Sequence, residues 1–174
     1  MNYQGAAERK LLECLQNKKF AHHKWEGSRF NEFKKMSTTE KGDIAEDFFA
    51  EMLKDSGWRN VQLLQGRRGD YDVRGALNNT ERLFEVKTAT KDTSNSFQFN
   101  GIRYDTKYTH LFCLGISPEK IGFIIVPKID LVNGNYKMVS MAKGSNSSFK
   151  LRTKADTLLS FDHFHSECAK TING

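Results

Sequence analysis

The sequence predicts an α/β fold, a mixed central β-sheet flanked by helices, and three observations predict it. The stretch "STTEKGDIAEDFFAEMLKDSG" reads as a capped amphipathic helix over 37–56. After Gly57 the hydrophobic period shortens from that of a helix to two, the mark of half-buried strands. Further on, "HLFCLGI" and "IGFIIV" are apolar on both faces, as central strands covered on both sides should be.

Taken in order, residues 3–20 carry Ala7, Leu11 and Leu15 at four-residue spacing, which predicts an amphipathic helix. From Lys18 to Lys35 the chain is polar and basic, interleaved with Phe20, Trp25, Phe30 and Phe33. Ser37 with Glu40 three residues on forms a capping-box pattern, and Gly57 suits the helix C-terminus. Ile44, Phe48, Phe49, Met52 and Leu53 make the buried face of that helix. Strands are expected over "NVQLLQ", "YDVRG" and "RLFEVKT", with turns at "GRRG" and "LNNT". "KYTHLFCLGI" and "KIGFIIVP" give two more, joined at "SPEK". "NYKMVSMA" and "FKLRTK" predict strands flanking a flexible "KGSNSS", and "DTLLSFDHFHSECAK" predicts a final helix.

A chain of 174 residues with a 38% hydrophobic fraction suits one domain with a real core. Within it, 1–36 form an N-terminal helix and basic segment, 37–127 the core, and 128–174 C-terminal strands and a helix. The formal net charge of +6 suits a polyanion partner, although basic soluble proteins without one are common. Cys14, Cys113 and Cys168 are too widely spaced for a disulfide framework or a paired-cysteine metal motif, so a reducing compartment is expected. Cys113 reads as a core thiol. The opening "MNYQGAAERK" is no signal peptide, and no apolar run could span a bilayer. The expected location is cytoplasmic, with no membrane contact. The histidines of "AHHK" and "DHFHSEC" fit no usual structural zinc spacing.

The chemistry is concentrated in "GDYDVRGALNNTERLFEVKTAT", Gly69–Thr90. Acidic residues are poor strand formers, yet Asp70, Asp72, Glu85 and Lys87 fall in or beside two strand-like runs. Alternate side chains of a strand share a face. If Tyr71 and Val73 on the first run and Phe84 and Val86 on the second face one core, Asp72, Glu85 and Lys87 share the opposite face. A hairpin turn at Asn78–Asn79 would bring them together. Two adjacent carboxylates repel and raise each other's pKa, a conflict that a divalent cation removes. Magnesium favours a few carboxylate oxygens plus water and phosphate oxygens, and a neighbouring lysine can orient the attacking water or steady developing charge. The bland alternative is a surface hairpin with an ordinary Glu–Lys face.

At these residues the sequence resembles the PD-(D/E)xK nuclease superfamily, through "YDV" followed by "EVK". The resemblance extends upstream to "KGDIAEDFFAEML" and downstream to "FQFNGIRYDTKYTHLFCLGI", which is similar to a segment of small type II restriction endonucleases, covering roughly 37–127. It implies a restriction-endonuclease-like core. It also implies Asp72 and Glu85 as magnesium ligands, Lys87 serving the water and Glu46 as an accessory acid. Tyr71 stands where the family name has Pro, and Asp70 competes with Asp72 as the ligand. Asp72 is preferred because Val73 continues the strand behind it. Geometry alone does not choose between Glu46 and Glu51, which border opposite edges of the helix's apolar arc.

The implied activity is magnesium-dependent hydrolysis of double-stranded DNA at a short site, leaving a 5′-phosphate. A repair or mobile-element nuclease with the same core, or a non-catalytic DNA-binding module, are the rivals. The segment Lys91–Arg103 leaves the sheet beside this constellation and carries Gln98, Asn100 and Arg103, side chains suited to base edges. Phe97, Phe99 and Ile102 alternate with them and could equally pack the segment into the core. A chain this small cannot readily surround a duplex, so a homodimer on DNA is expected.

Overall fold

The computed structural model describes residues 24–64, 69–144 and 147–172, so the expected helix over 3–20 lies outside the described residues. A short helix α1 (Asn31–Lys35) precedes the long helix α2 (Thr38–Asp55). Ser37 caps α2 as its sequence predicts. Its hydroxyl accepts the Glu40 N–H at 3.2 Å, and the Glu40 carboxylate accepts the Ser37 N–H at 2.8 Å. Gly57 follows with φ +83°, the left-handed conformation that ends a helix at little cost to glycine.

Five strands then build the main sheet: β1 (Arg59–Leu63), β2 (Val73–Leu77), β3 (Thr80–Thr90), β5 (His110–Ile116) and β6 (Ile121–Pro127), in the order β1-β2-β3-β5-β6. The sheet is mixed, since β3 and β5 run parallel while the other neighbours are antiparallel. Asn78 and Asn79 turn the β2–β3 hairpin with φ +50° and +62°, the conformation a two-residue turn requires. Strand β4 (Ser96–Ile102) leaves this sheet and joins β8 (Ser148–Lys154) and β7 (Met138–Ala142) in a second, antiparallel one. A short helix α3 (Lys128–Val132) follows β6, and α4 (Phe164–Lys170) closes the chain.

The main sheet is covered on both faces, and strand alternation decides what goes where. Phe84 and Val86 of β3 and Phe112, Leu114 and Ile116 of β5 face α2, α4 and Trp25. Phe49 of α2 stacks on Phe112 at 4.0 Å and meets Phe84 edge-on at 5.0 Å, arrangements that aromatic rings favour. Leu111 and Cys113 face the other way, packing with Phe97, Phe99 and Ile102 of β4 and Leu151 of β8. The helices therefore cover one face, and the second sheet covers the other. Cys113 is a buried free thiol, as its apolar run predicts.

Two expectations about element bounds are corrected, and one alternative is borne out. The strand expected over "YDVRG" begins at Val73, with Tyr71 and Asp72 just before it. Asp72 nevertheless stays in the ladder, its N–H donating to the Phe84 carbonyl and its carbonyl accepting the Leu64 N–H, both at 2.8 Å. The final helix, expected over "DTLLSFDHFHSECAK", exists only for Phe164–Lys170. Upstream, Leu159 exchanges backbone hydrogen bonds with Phe123 of β6 and is flanked by 3₁₀ turns at Ala155–Thr157 and Phe161–His163. Pairing with the β6 edge takes the backbone groups a helix would need. The segment 91–103 contains a strand, with Phe97, Phe99 and Ile102 buried between the two sheets.

Candidate active site

Where β2 begins, β3 runs on towards Thr90 with β5 as its one remaining neighbour, and a cleft of about 900 Å³ lies at that edge. Its walls include Asp72 from the entry to β2, Glu85 and Lys87 from β3, Glu46 from α2, and Gly101 and Arg103 from the end of β4. The hairpin register that pairs Val73 with Phe84 sends Phe84 and Val86 into the helix-side core. Glu85 and Lys87 are thereby left on the face turned towards the second sheet.

Lys87 bridges the two carboxylates. Its Nζ donates to Glu85 Oε1 at 2.5 Å and lies 4.0 Å from Asp72 Oδ2. That same Asp72 oxygen accepts the Val86 N–H at 2.7 Å, which fixes the carboxylate across the hairpin. Glu85 is 8% exposed. Burial, and then the charge of Asp72, raise its carboxyl above the ordinary range against the pull of Lys87. Burial works against the charge on Lys87, but Glu85 and Asp72 together prevail and hold the ammonium protonated above its usual range. The cluster thus carries more negative charge than its one lysine offsets.

Glu46 joins the cluster from the helix. Its half-buried carboxyl is pushed up to about 7, by burial first and then by Asp72, while Lys87 pulls the other way. Asp43 and Glu85 add to the rise. Glu51, its rival on the helical wheel, points to solvent and pairs with Lys54 at 2.6 Å. Asp70 is likewise turned outward, pairing with Lys107 at 2.7 Å.

The residues expected to meet DNA are partly engaged within the chain. Lys91 pairs with Glu119 at 3.1 Å, and Gln98 donates to Asp92 at 3.2 Å. Arg103 forms two hydrogen bonds with Asp105, at 3.0 and 2.8 Å, and Asn100 is exposed. Of these four, Arg103 lines the cleft. Thr38, Thr39 and Thr106 also line it, and the sequence pattern did not single them out. Helix ends and loops bear no periodicity that would mark such residues.

Among the described residues, no set of three or more His, Cys, Asp and Glu side chains converges as a metal site. The donor set suits magnesium rather than a metal that needs an all-protein cage. It offers two carboxylates at the edge of an open cleft, with room for water and phosphate oxygens. The Lys87 ammonium already sits where positive charge is needed.

No protein-family model matches the sequence, and no curated protein matches it. Among solved structures, the bacterial homing endonuclease I-Ssp6803I is similar, with a TM-score of 0.47 and 18% identity over 79% of this chain and 99% of that one. At that level the likeness transfers no chemistry to these residues.

Proposed function

We propose that this chain is a magnesium-dependent endodeoxyribonuclease of the type II restriction kind, hydrolysing double-stranded DNA at a short site. One observation carries the reading: Asp72, Glu85 and Lys87 meet at the mouth of one cleft, with Lys87 Nζ 2.5 Å from Glu85 and 4.0 Å from Asp72. A structural ion pair does not call for a second acid beside the first, whereas metal-assisted hydrolysis does.

Asp72 and Glu85 would hold magnesium, which supplies polarisation of the phosphoryl oxygen and a more acidic bound water. Asp72, fixed by the Val86 N–H, presents its carboxylate in one orientation. Lys87, kept charged by the two acids, orients the attacking water and steadies the charge gathering on the phosphate. Glu46, poised near neutrality, takes up a proton from that water. The new bond joins the water oxygen to phosphorus as the bond to the 3′ oxygen breaks, and that oxygen takes a proton from solvent, leaving a 3′-hydroxyl and a 5′-phosphate. Arg103 on the cleft wall suits a phosphate or a base edge, and Lys91, Gln98 and Asn100 extend the same run. Two copies related by a two-fold axis would address the two strands.

Incubating the protein with a long DNA of known sequence, with magnesium and with chelator, tests the proposal. Discrete fragments carrying 5′-phosphates, formed with magnesium alone, are expected. Nicked or junction-cut products would favour a repair or mobile-element nuclease. Duplex binding without cleavage under any divalent cation would leave a DNA-binding module.

A further inference from the structure

The chain just beyond β4 is built to hold one guanidinium still. The ladder between β4 and β8 shifts register between Phe99 and Ile102, and Gly101 takes φ +74° there, a bulge that re-aims the residues after it. On either side of Arg103 the chain is anchored. Ile102 is buried, Tyr104 stacks on Phe149 of β8 at 4.4 Å, and the hydroxyl of buried Thr106 donates to the Arg103 carbonyl at 3.3 Å. Arg103 itself is partly exposed and lines the cleft that holds Asp72, Glu85 and Lys87.

Asp105 then fixes the side chain. Its Oδ1 accepts from Arg103 Nε at 3.0 Å and its Oδ2 from Nη2 at 2.8 Å, a bidentate pair. An exposed ion pair contributes little to stability, and this one adds a negative charge beside a cleft already rich in acids. Such a charge weakens the hold on DNA unless the carboxylate does something for the arginine. What it does follows from the guanidinium, whose N–H groups lie in one rigid plane. Asp105 occupies the edge formed by Nε and one side of Nη2. The other edge, formed by Nη1 and the second Nη2 hydrogen, has no partner among the described residues. Asp105 stands outside the cleft lining, so that free edge is the one Arg103 can offer there.

Resting on the nuclease reading, we propose that Asp105 is a positioning residue, holding Arg103 so that the free edge of its guanidinium meets a pair of acceptor atoms on bound DNA. Two phosphate oxygens fit such an edge, and so do O6 and N7 of guanine. Fixed in advance, the fork gives up little rotamer freedom on binding.

A double-mutant cycle on duplex binding tests this, read by fluorescence anisotropy without divalent cation so that no strand is cut. Arg103→Ala should weaken binding by roughly 5-fold or more, and Asp105→Ala by a similar factor. In the Arg103→Ala background, Asp105→Ala should weaken binding no further. The sign of the effect is decisive. If charge alone matters, removing a carboxylate near phosphate tightens binding, so an Asp105→Ala variant that binds as well as wild type, or better, overturns the proposal. A loss that persists in the Arg103→Ala background also overturns it, since Asp105 then supports the loop rather than the arginine. Loss on every duplex, with a salt slope lower by about one, assigns the acceptors to phosphate, and loss on the cognate duplex alone assigns them to guanine. Failure of the nuclease reading shows in wild type instead. A protein that binds no duplex ends both readings, and one that binds but cuts nothing with magnesium ends the nuclease reading alone.

Discussion

Lys87 holds by itself the place that a cation would otherwise occupy between two acids, and the first prediction follows from that. Asp72→Ala and Glu85→Ala should each lower magnesium-dependent cleavage by roughly 10²–10³-fold or more while leaving far-ultraviolet circular dichroism and duplex binding intact. Gel-resolved cleavage time courses decide it, and near wild-type cleavage by the Asp72 variant would return attention to Asp70. Glu46 gives a pH prediction. Its folded pKa of about 7 stands above the ordinary 4.5, so its contribution favours the folded state fully below 4.5 and fades as pH rises through 7. The wild-type melting temperature, measured without metal, should therefore fall relative to that of Glu46→Gln between pH 5 and pH 8. Equal pH dependence in the two proteins would contradict the shift. At this scale strand alternation made Asp72, Glu85 and Lys87 legible. The choice of Glu46 over Glu51 was not legible, because a helical wheel gives direction around the axis but not height along it. Only the packed helix shows that Glu46 reaches the open end of the sheet, while Glu51 meets Lys54 in solvent.

Elements carry the next predictions. Phe49, fully buried on α2, touches Phe84 on β3 and Phe112 on β5, so it ties the helix to the strand that bears the site. Phe49→Ala should cost about 3–5 kcal/mol of stability in urea unfolding, with activity surviving in whatever fraction stays folded. On β4 and just beyond it, Gln98→Ala, Asn100→Ala and Arg103→Ala separate two roles. A base contact should cost roughly 1–3 kcal/mol on the cognate duplex alone, and a phosphate contact should weaken every duplex and lower the salt slope by about one. Binding isotherms at several salt concentrations tell them apart. The bounds of helix α2 were legible because its cap, period and terminal glycine agree, but Ile44, read as part of its buried face, is 41% exposed. The sheet to which β4 belongs was not legible, although Phe97 and Phe99 show their alternation openly. Its partner strand pairs Gln98 with Arg152, and nothing local announces a neighbour so distant in sequence. The last helix was overextended for a similar reason, since the pairing of Leu159 with Phe123 is invisible along the chain.

For the whole molecule, assembly is the open prediction. A two-fold homodimer should form on its duplex, seen by light scattering as two protomers per DNA, and a single protomer cutting both strands would refute it. The charge of +6 should make association fall with salt, since each phosphate contact releases bound counterions. The hairpin between β2 and β3 has a further consequence. Its two-asparagine turn sets which face of β3 meets the aromatic core, and a slip of one residue would exchange the faces. Glu85 and Lys87 would then be driven among Phe49, Phe112 and Phe164, while Phe84 and Val86 faced the cleft. An ion pair in that apolar layer would lose its water without gaining hydrogen bonds, so the misaligned hairpin is rejected as it forms. The groups that would cut DNA therefore also proofread the pairing of their own strand.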